Sequence, residues 1–478
     1  MKAFIMAADA LTPDYIFGKK ELFPNIYKMI GCGASAAFSA YVQRGYKGSY
    51  SSEQNWASIY TGLSPDEHEV DYAKAAGIEG KAAKPQMKSL SGKQPFWEVL
   101  NKAGISVGLW SPECCNNPVD INGYVVASKY TPIFSPSENR EAPREIQLNR
   151  KDMYIQECLY GSPPPRLYPR TLEQQGYTFK QLRENPSLVN SVANENAFIN
   201  ILDNFDEELR FWFSSMTKAQ RRYPVDVMYL FTPSTDIIPH FSMYCDYNPI
   251  IIKAYQFLDK YIGEFIEAFK PEATVLLSDH GQQNFKDLIK CSDPVIQREA
   301  FVARDQVVWM DNGYIAFEAM NGGLLFSAHS LKGVFIASGN SIRNIEITDM
   351  RTLDVYPTIL ELLGTQVPAN RKGFVADIFD KTLINPDKLL KPVSYKKIAI
   401  IQSHEVNITD IFINEIYINN RFSAITVIGE KRYCEIFLNN PRVIGFTPFE
   451  EFNPEDFDEI YNCVYNARTK LMRHIQVK

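Results

Sequence analysis

Three short apolar runs, Ala3 to Ala8, Val227 to Phe231 and Thr274 to Ser278, contain no charged residue, and each is followed by an acidic residue, twice with a histidine close behind. Runs of this length without alternation read as strands buried on both faces, the mark of a parallel sheet covered by helices. A fourth run, Val334 to Ala337, is preceded by His329. In open α/β sheets, ligand sites collect beyond the carboxyl ends of the strands. Asp9, Asp236, His240, Asp279, His280 and His329, together with the hydroxyl of Ser52, are therefore expected in one cleft despite running from position 9 to position 329. The set offers carboxylates and imidazoles for two metal ions around one nucleophile.

The order of elements supports that fold. Up to about residue 130 apolar strands alternate with amphipathic helices, including Leu22 to Ile30 and Phe96 to Ala103, the latter leading into a strand at Ser106 to Trp110. This alternation implies a doubly wound, mostly parallel sheet flanked by helices. Residues 131–222 break the pattern with Pro, Tyr, Arg and Gln, then a helical stretch from Val189 to Gln220, and read as an inserted cap. The sheet pattern resumes at VDVMYLF and closes near residue 380, after a helix over Leu353 to Leu363. The catalytic domain is thus expected over 1–380. Residues 381 to 395 read as a linker, and 396–478 as a small α+β appendage in which KIAIIQ, IFINEIYI, AITVIG and CEIFLN are strand-like and a final helix lies within Pro454 to His474.

Charge and cysteine usage remove several classes of function. A formal charge of −6 over 478 residues leaves no basic footprint for a dedicated nucleic-acid backbone binder. The eight cysteines contain no C-x-x-C pair, which argues against a zinc ribbon or redox motif and fits a reducing, cytoplasmic setting. The first residues, MKAFIMAADALTPDY, lack the apolar stretch of a secretory leader, and no run reaches membrane-spanning length. No feature reads out an oligomeric state.

Asp279 and His280 follow a strand-like run and precede Gly281, so a turn there is expected to let both face one cation. Asp236 and His240 are four residues apart, which puts both on one side of a helical turn. Either pair alone is more often an ordinary polar partnership; the force lies in their combination.

The chain resembles the alkaline phosphatase superfamily, in its type I phosphodiesterase/nucleotide pyrophosphatase branch. The resemblance runs in order through MAADALTPDYIF, FPNIYKM, NWASIYTGLSPDEHEV, PFWEVLNKAGISVGLW, PVDINGYVVAS, VDVMYLFTPSTDIIPHF, TVLLSDHG, SAHSLKGVFIASG and RKGFVADIF. It covers most of residues 1 to 380 apart from the insertion. It implies an alkaline-phosphatase-like fold and a nucleophile ten residues before the glycine of a TG motif, which is Ser52 counted from Gly62. It further implies one metal held by Asp9, Ser52, Asp279 and His280, and another by Asp236, His240 and His329. Two divalent ions follow, Zn²⁺ by the nitrogen-rich ligand set, with Mn²⁺ as the alternative. A metal lowers the pKa of a bound serine hydroxyl, and two ions about 4 Å apart clamp attacking and leaving oxygens. The implied path runs through a phosphoseryl intermediate.

Several positions depart from the family pattern. T-x-P-x-W becomes Ser52-Glu53-Gln54-Asn55-Trp56, without the proline and with Ser51 as a rival hydroxyl. The family's phosphoryl-binding Asn has no counterpart after His68, and Asn55 is the expected substitute. His68 itself reads as a structural hydrogen-bonding residue, and Trp56 and Trp97 as packing anchors. The stripe Phe198, Ile201, Leu202 and Phe205 reads as core. Ser162 to Arg166 matches a sulfatase-type S-x-P-x-R pattern but sits in the insertion, so it reads as a stiff loop. The expectation is a hydrolase of phosphodiester or phosphoanhydride bonds in a small phosphorylated substrate such as a nucleotide. The alternatives are a phosphomonoesterase or phosphonate monoester hydrolase using the same site, and a metal-binding scaffold with relaxed catalysis.

Overall fold

The computed structural model describes residues 1–41, 52–70, 90–113, 115, 118–130, 141–142, 144–288, 307–318, 323–380, 396–402, 406–419, 423–438, 440, 442–466 and 471–476. Nine strands build the main sheet: β1 (Ala3–Ala8), β2 (Gly33–Ser39), β3 (Val107–Trp110), β4 (Gly123–Tyr130), β5 (Arg144–Leu148), β6 (Val227–Thr232), β7 (Ala273–Leu277), β8 (Lys332–Gly339) and β9 (Ile345–Ile347). Their spatial order is β9-β2-β8-β7-β1-β6-β3-β4-β5. β1 lies between β6 and β7 and runs parallel to both, so three strands end side by side. The sheet is mostly parallel; β8 runs antiparallel to β7 and β2, and β5 antiparallel to β4.

The unbroken apolar runs follow from burial on both faces. In β1, Ala3, Ile5 and Ala7 join one core with Tyr229, Phe231, Trp56, Trp97 and Tyr356. Phe4, Met6 and Ala8 join the other, with Met228, Leu230, Leu209, Leu258 and Phe265. Successive side chains of a strand point to opposite faces, so one run feeds two cores. The covering helices are α1 (Ser52–Thr61), α2 (Phe96–Lys102), α3 (Glu195–Arg222), α4 (Ser234–Ser242), α5 (Pro249–Phe269) and α6 (Thr352–Leu362). α1, α2 and α6 lie on the first face, α3 and α5 on the second. α5 starts where Asn248 accepts from the Ile250 N–H and Pro249 occupies the first turn, and it stops where Lys270 turns left-handed at φ 44.

Residues read as an insertion are woven into this body. β5 extends the sheet, and Phe198, Ile201, Phe205, Leu209 and Trp212 of α3 pack into its core at helical spacing. Arg144 of β5 and Glu208 of α3 form an ion pair at 3.0 Å with both side chains buried. The helical stretch expected from Val189 is broken: Val189–Val192 is a separate turn before α3.

A second sheet lies in the C-terminal part, with strands β10 (Lys396–Ile401), β11 (Ser423–Gly429), β12 (Val443–Pro448), β13 (Glu459–Asn466) and β14 (Leu471–Gln476) in the order β12-β11-β10-β13-β14. Three expectations are corrected here. IFINEIYI is not a strand but part of helix α7 (Val406–Asn419), and CEIFLN forms the short helix Cys434–Leu438. β10 and β11, and β11 and β12, pair in parallel, which demands a crossover between them rather than a neighbouring strand. The final segment is not a helix either, since Glu459–Asn466 pairs with β10 and Leu471–Gln476 closes an antiparallel hairpin on it. The expected linker 381–395 lies outside the described residues. Among the described residues, no helix is long and apolar enough to cross a membrane.

Candidate active site at the strand ends

The carboxyl ends of β1, β6 and β7 lie side by side and bring two groups of carboxylates and imidazoles together beyond them. Asp9 continues the ladder beyond β1, its N–H donating to the Thr232 carbonyl at 2.9 Å. Ala10 then turns left-handed at φ 53, a conformation that costs an L-residue about 1 kcal/mol, and its N–H donates to Asp279 Oδ1 at 3.2 Å. Asp279 and His280 occupy the bend between β7 and a two-stranded ribbon, Gly281–Asn284 paired antiparallel with Ser327–Ser330. Gly281 has no left-handed backbone. It is needed for space instead, because a Cβ there would lie 2.7 Å from Pro13 Cδ, 2.8 Å from the Lys332 carbonyl oxygen and 2.9 Å from Ser330 Oγ.

Asp9, Asp279 and His280 form one group, and Asp236, His240 and His329 another, each with ligating atoms within 4.8 Å of one another. In the first, His280 Nε2 lies 3.2 Å from Asp279 Oδ2 and 3.9 Å from Asp9 Oδ1. In the second, Asp236 Oδ1 is 3.2 Å from His240 Nε2 and 3.4 Å from His329 Nε2. Asp236 and His240 share a face of α4, and His329 comes from the ribbon. The groups adjoin, for the rings of His280 and His329 stack with centroids 3.8 Å apart at 23°. Ser52, the first residue of α1, brings its Oγ to 3.2 Å from His280 Nε2.

Tautomers follow from the carbonyls behind the rings. His280 Nδ1 lies 3.0 Å from the Gly281 carbonyl oxygen and His240 Nδ1 lies 3.0 Å from that of Ser327, so both Nδ1 atoms donate. Their Nε2 lone pairs then face the cleft, the arrangement common to metal-bound imidazoles. His240 Nε2 and His329 Nε2 are only 3.2 Å apart beside a carboxylate oxygen, a grouping that calls for a shared cation or proton. Asp9 Oδ1 and Asp279 Oδ2 are buried without a hydrogen-bond partner. Buried carboxylate oxygens left unpaired are costly, and a divalent cation with oxygen and nitrogen ligands would satisfy those of Asp9 and Asp279, a second one the carboxylate and imidazoles of the other group. The donor set fits such an ion.

Charge balance points the same way. Burial, reinforced by Asp279, pushes the Asp9 carboxyl well above the carboxylate range, and burial raises Asp279 to about 8. At Asp236 burial also pulls upward, but His240 and His329 override it and hold the group well below its ordinary value. Burial holds His280 well below the usual imidazole value, with His329 adding to the effect.

Gln282, not expected at the site from the sequence, ties Asp236 to the ribbon and to the segment after β1. Its Nε2 donates to Asp236 Oδ1 at 2.6 Å, its Oε1 accepts from Ser327 Oγ at 2.9 Å, and its N–H donates to Thr12 Oγ1 at 3.2 Å. The unbroken polar run Gln282-Gln283-Asn284, close behind an acid–histidine pair, is the one hint the sequence offers.

Asn55 is not brought to this cleft as a phosphoryl-oxygen donor. It is 1% exposed, and its Nδ2 donates to the Tyr41 carbonyl at 2.6 Å, so its donor holds the backbone beyond β2. Glu53, beside Ser52, is buried as well. His68 is structural: its Nδ1 accepts from the Val70 N–H at 3.0 Å, leaving Nε2 to reach Ser58 Oγ and the Gln54 carbonyl, both at 3.1 Å. Trp56 and Trp97 are fully packed, and Ser51 lies outside the described residues.

A family model for type I phosphodiesterase / nucleotide pyrophosphatase matches residues 3–328. The matched span holds all of these side chains except His329, which stands one residue beyond its end. No curated protein matches the chain.

Proposed function

Because the chain belongs to the type I phosphodiesterase / nucleotide pyrophosphatase family of hydrolases, within the alkaline phosphatase superfamily, we propose that it cleaves phosphodiester or phosphoanhydride bonds of small substrates, nucleotides among them, through Ser52. The observation that carries this reading is the serine hydroxyl at 3.2 Å from His280 Nε2, next to two carboxylate–imidazole groups joined by a histidine stack. Asp9, Asp279, His280 and Ser52 would hold one divalent cation and Asp236, His240 and His329 a second, with Zn²⁺ first by donor chemistry and Mn²⁺ as the alternative. When bound, such ions supply Lewis acidity, lowering the serine pKa and neutralising phosphoryl charge.

The chain's own groups do the rest. Ser52 Oγ attacks phosphorus while its proton passes to solvent, the bond to the departing alcohol or phosphate breaks as that oxygen takes a proton from solvent, and water later cleaves the phosphoseryl ester, restoring the serine hydroxyl and releasing the phosphoryl product. Ser52 opens α1, so the positive end of that helix faces the phosphoryl charge. The Gly281 carbonyl fixes the His280 ring, keeping its Nε2 lone pair toward Ser52. In this reading 1–380 is the catalytic domain, with 131–222 as its inserted part, and 396–478 an appendage. Cys32, Cys115, Cys158 and Cys434 carry free thiols, which suits a reducing compartment such as the cytoplasm.

The test compares bis-p-nitrophenyl phosphate, p-nitrophenyl phosphate and thymidine monophosphate nitrophenyl ester, each with and without chelator. The proposal expects diester turnover that chelation abolishes and that Ser52→Ala removes while metal stays bound. Preference for the monoester would move the function to a phosphomonoesterase. No turnover on any of the three with metal bound would leave the scaffold reading.

A further inference from the structure

We propose that the C-terminal appendage, outside the family match, positions the nucleophile helix by gripping, through α7 and Arg442, the backbone that leaves β2. Three consecutive residues there, Ser39, Ala40 and Tyr41, each receive or give a hydrogen bond to the appendage. Asn414 of α7, 1% exposed, donates from Nδ2 to the Ala40 carbonyl at 2.6 Å. The Tyr41 hydroxyl donates to Asn419 Oδ1 at 2.8 Å, and Arg442 Nη2 donates to Ser39 Oγ. Behind them Arg351, itself buried and paired with Asp354 at 2.8 Å, donates from Nη1 to the Ile418 carbonyl at 2.9 Å. Tyr41, Leu353 and Ile418 form a small apolar core between the backbone beyond β2, α6 and α7.

The same stretch of backbone holds the catalytic helix. Asn55 donates to the Tyr41 carbonyl, and it sits in the first turn of α1, three residues after Ser52. A continuous line therefore runs from α7 through Tyr41 and Asn55 to the residue proposed as nucleophile. Each bond on it is buried or partly buried, where a hydrogen bond is least screened and an unmade one most costly. Loop and strand ends hold a reacting group only as well as their supports do, and a misplacement of about 1 Å can cost a hundredfold in rate. The appendage acts on the reaction without reaching the cleft, so Tyr41, Asn55, Asn414 and Asn419 are positioning residues. The inference rests on Ser52 as nucleophile.

Tyr41→Phe, which removes one hydroxyl, and Asn419→Ala are made singly and together in the full chain. Ile444→Ser, a change at an exposed site of the appendage, serves as control. Two readouts are taken: kcat and KM for bis-p-nitrophenyl phosphate, and amide hydrogen exchange across Ser52–Thr61. Each single variant is expected to lower kcat about tenfold with KM unchanged and to speed exchange in the first turn of α1, the double variant adding nothing further. Variants with wild-type kcat and wild-type exchange would overturn the proposal, as would an Ile444→Ser control that lost kcat and exchange protection to the same extent as the Tyr41 and Asn419 variants. If exchange rises in the variants while the wild-type protein turns over no phosphoester, the coupling stands and the hydrolase reading fails.

Discussion

Gln282→Leu should weaken one metal site and spare the other. Gln282 is 2% exposed, and its Nε2 reaches Asp236 Oδ1 at 2.6 Å while its Oε1 takes the Ser327 hydroxyl. Leucine fills a similar volume but offers no donor. A hydrogen bond to a charged group contributes about 1.5–3 kcal/mol. At about 1.4 kcal/mol per decade this is roughly tenfold to a hundredfold in affinity, the range seen when a partner that orients a metal ligand is removed. Asp236 keeps both imidazoles beside it, which places the expected loss near tenfold. Zn²⁺ binding is followed by chelator competition, with Asp279→Asn and His240→Ala used to assign each site. The site of Asp236, His240 and His329 should lose about tenfold, and that of Asp9, Asp279 and His280 should stay within about twofold. Equal affinities at both sites before and after the change, or a loss confined to the Asp9 group, would refute the idea that Gln282 orients Asp236.

Burial holds His68 at about 4, against 6.5 when unfolded. The unfolded chain then binds more protons between these values, so His68 adds stability that is complete above pH 6.5 and lost as pH falls toward 4, about 3 kcal/mol in all. Urea melts at pH 7 and 4.5 should show a shallower pH dependence for His68→Gln than for wild type; identical slopes would remove His68 from the balance. Gly281→Ala should cost about 1–3 kcal/mol, since its Cβ meets the Lys332 carbonyl and the Pro13 ring, and should weaken metal binding at His280. Thermal melts and zinc titration check both, and an unchanged melting temperature would contradict the packing argument.

The central strands and the site were legible for a shared reason. AFIMAA, VMYLF and TVLLS are buried on both faces, and the acidic residue that follows each run, Asp9, Asp236 and Asp279, stands beyond the strands' carboxyl ends in one of the two carboxylate–imidazole groups. In the appendage KIAIIQ and AITVIG were legible as strands, but α7 was not, because its Phe412, Ile413, Ile416 and Ile418 are packed by its own sheet and by the catalytic body together. Enclosure on several sides erases the 3.6-residue stripe, and an isoleucine-rich helix then looks like a strand. Asn55 misled for a related cause. Its residue type suited a phosphate contact, but its surroundings are set by Tyr41, whose position depends on pairing that the local sequence does not encode. Gln282 acts through atoms of Asp236 and Ser327 that lie 46 and 45 positions away.

The most direct test is anomalous diffraction at the zinc edge from crystals of the full chain grown with Zn²⁺. Two peaks are expected, one among Asp9, Asp279 and His280 with Ser52 Oγ in reach, the other among Asp236, His240 and His329. A single peak elsewhere, or two peaks with the Ser52 side chain turned away from both, would contradict the account.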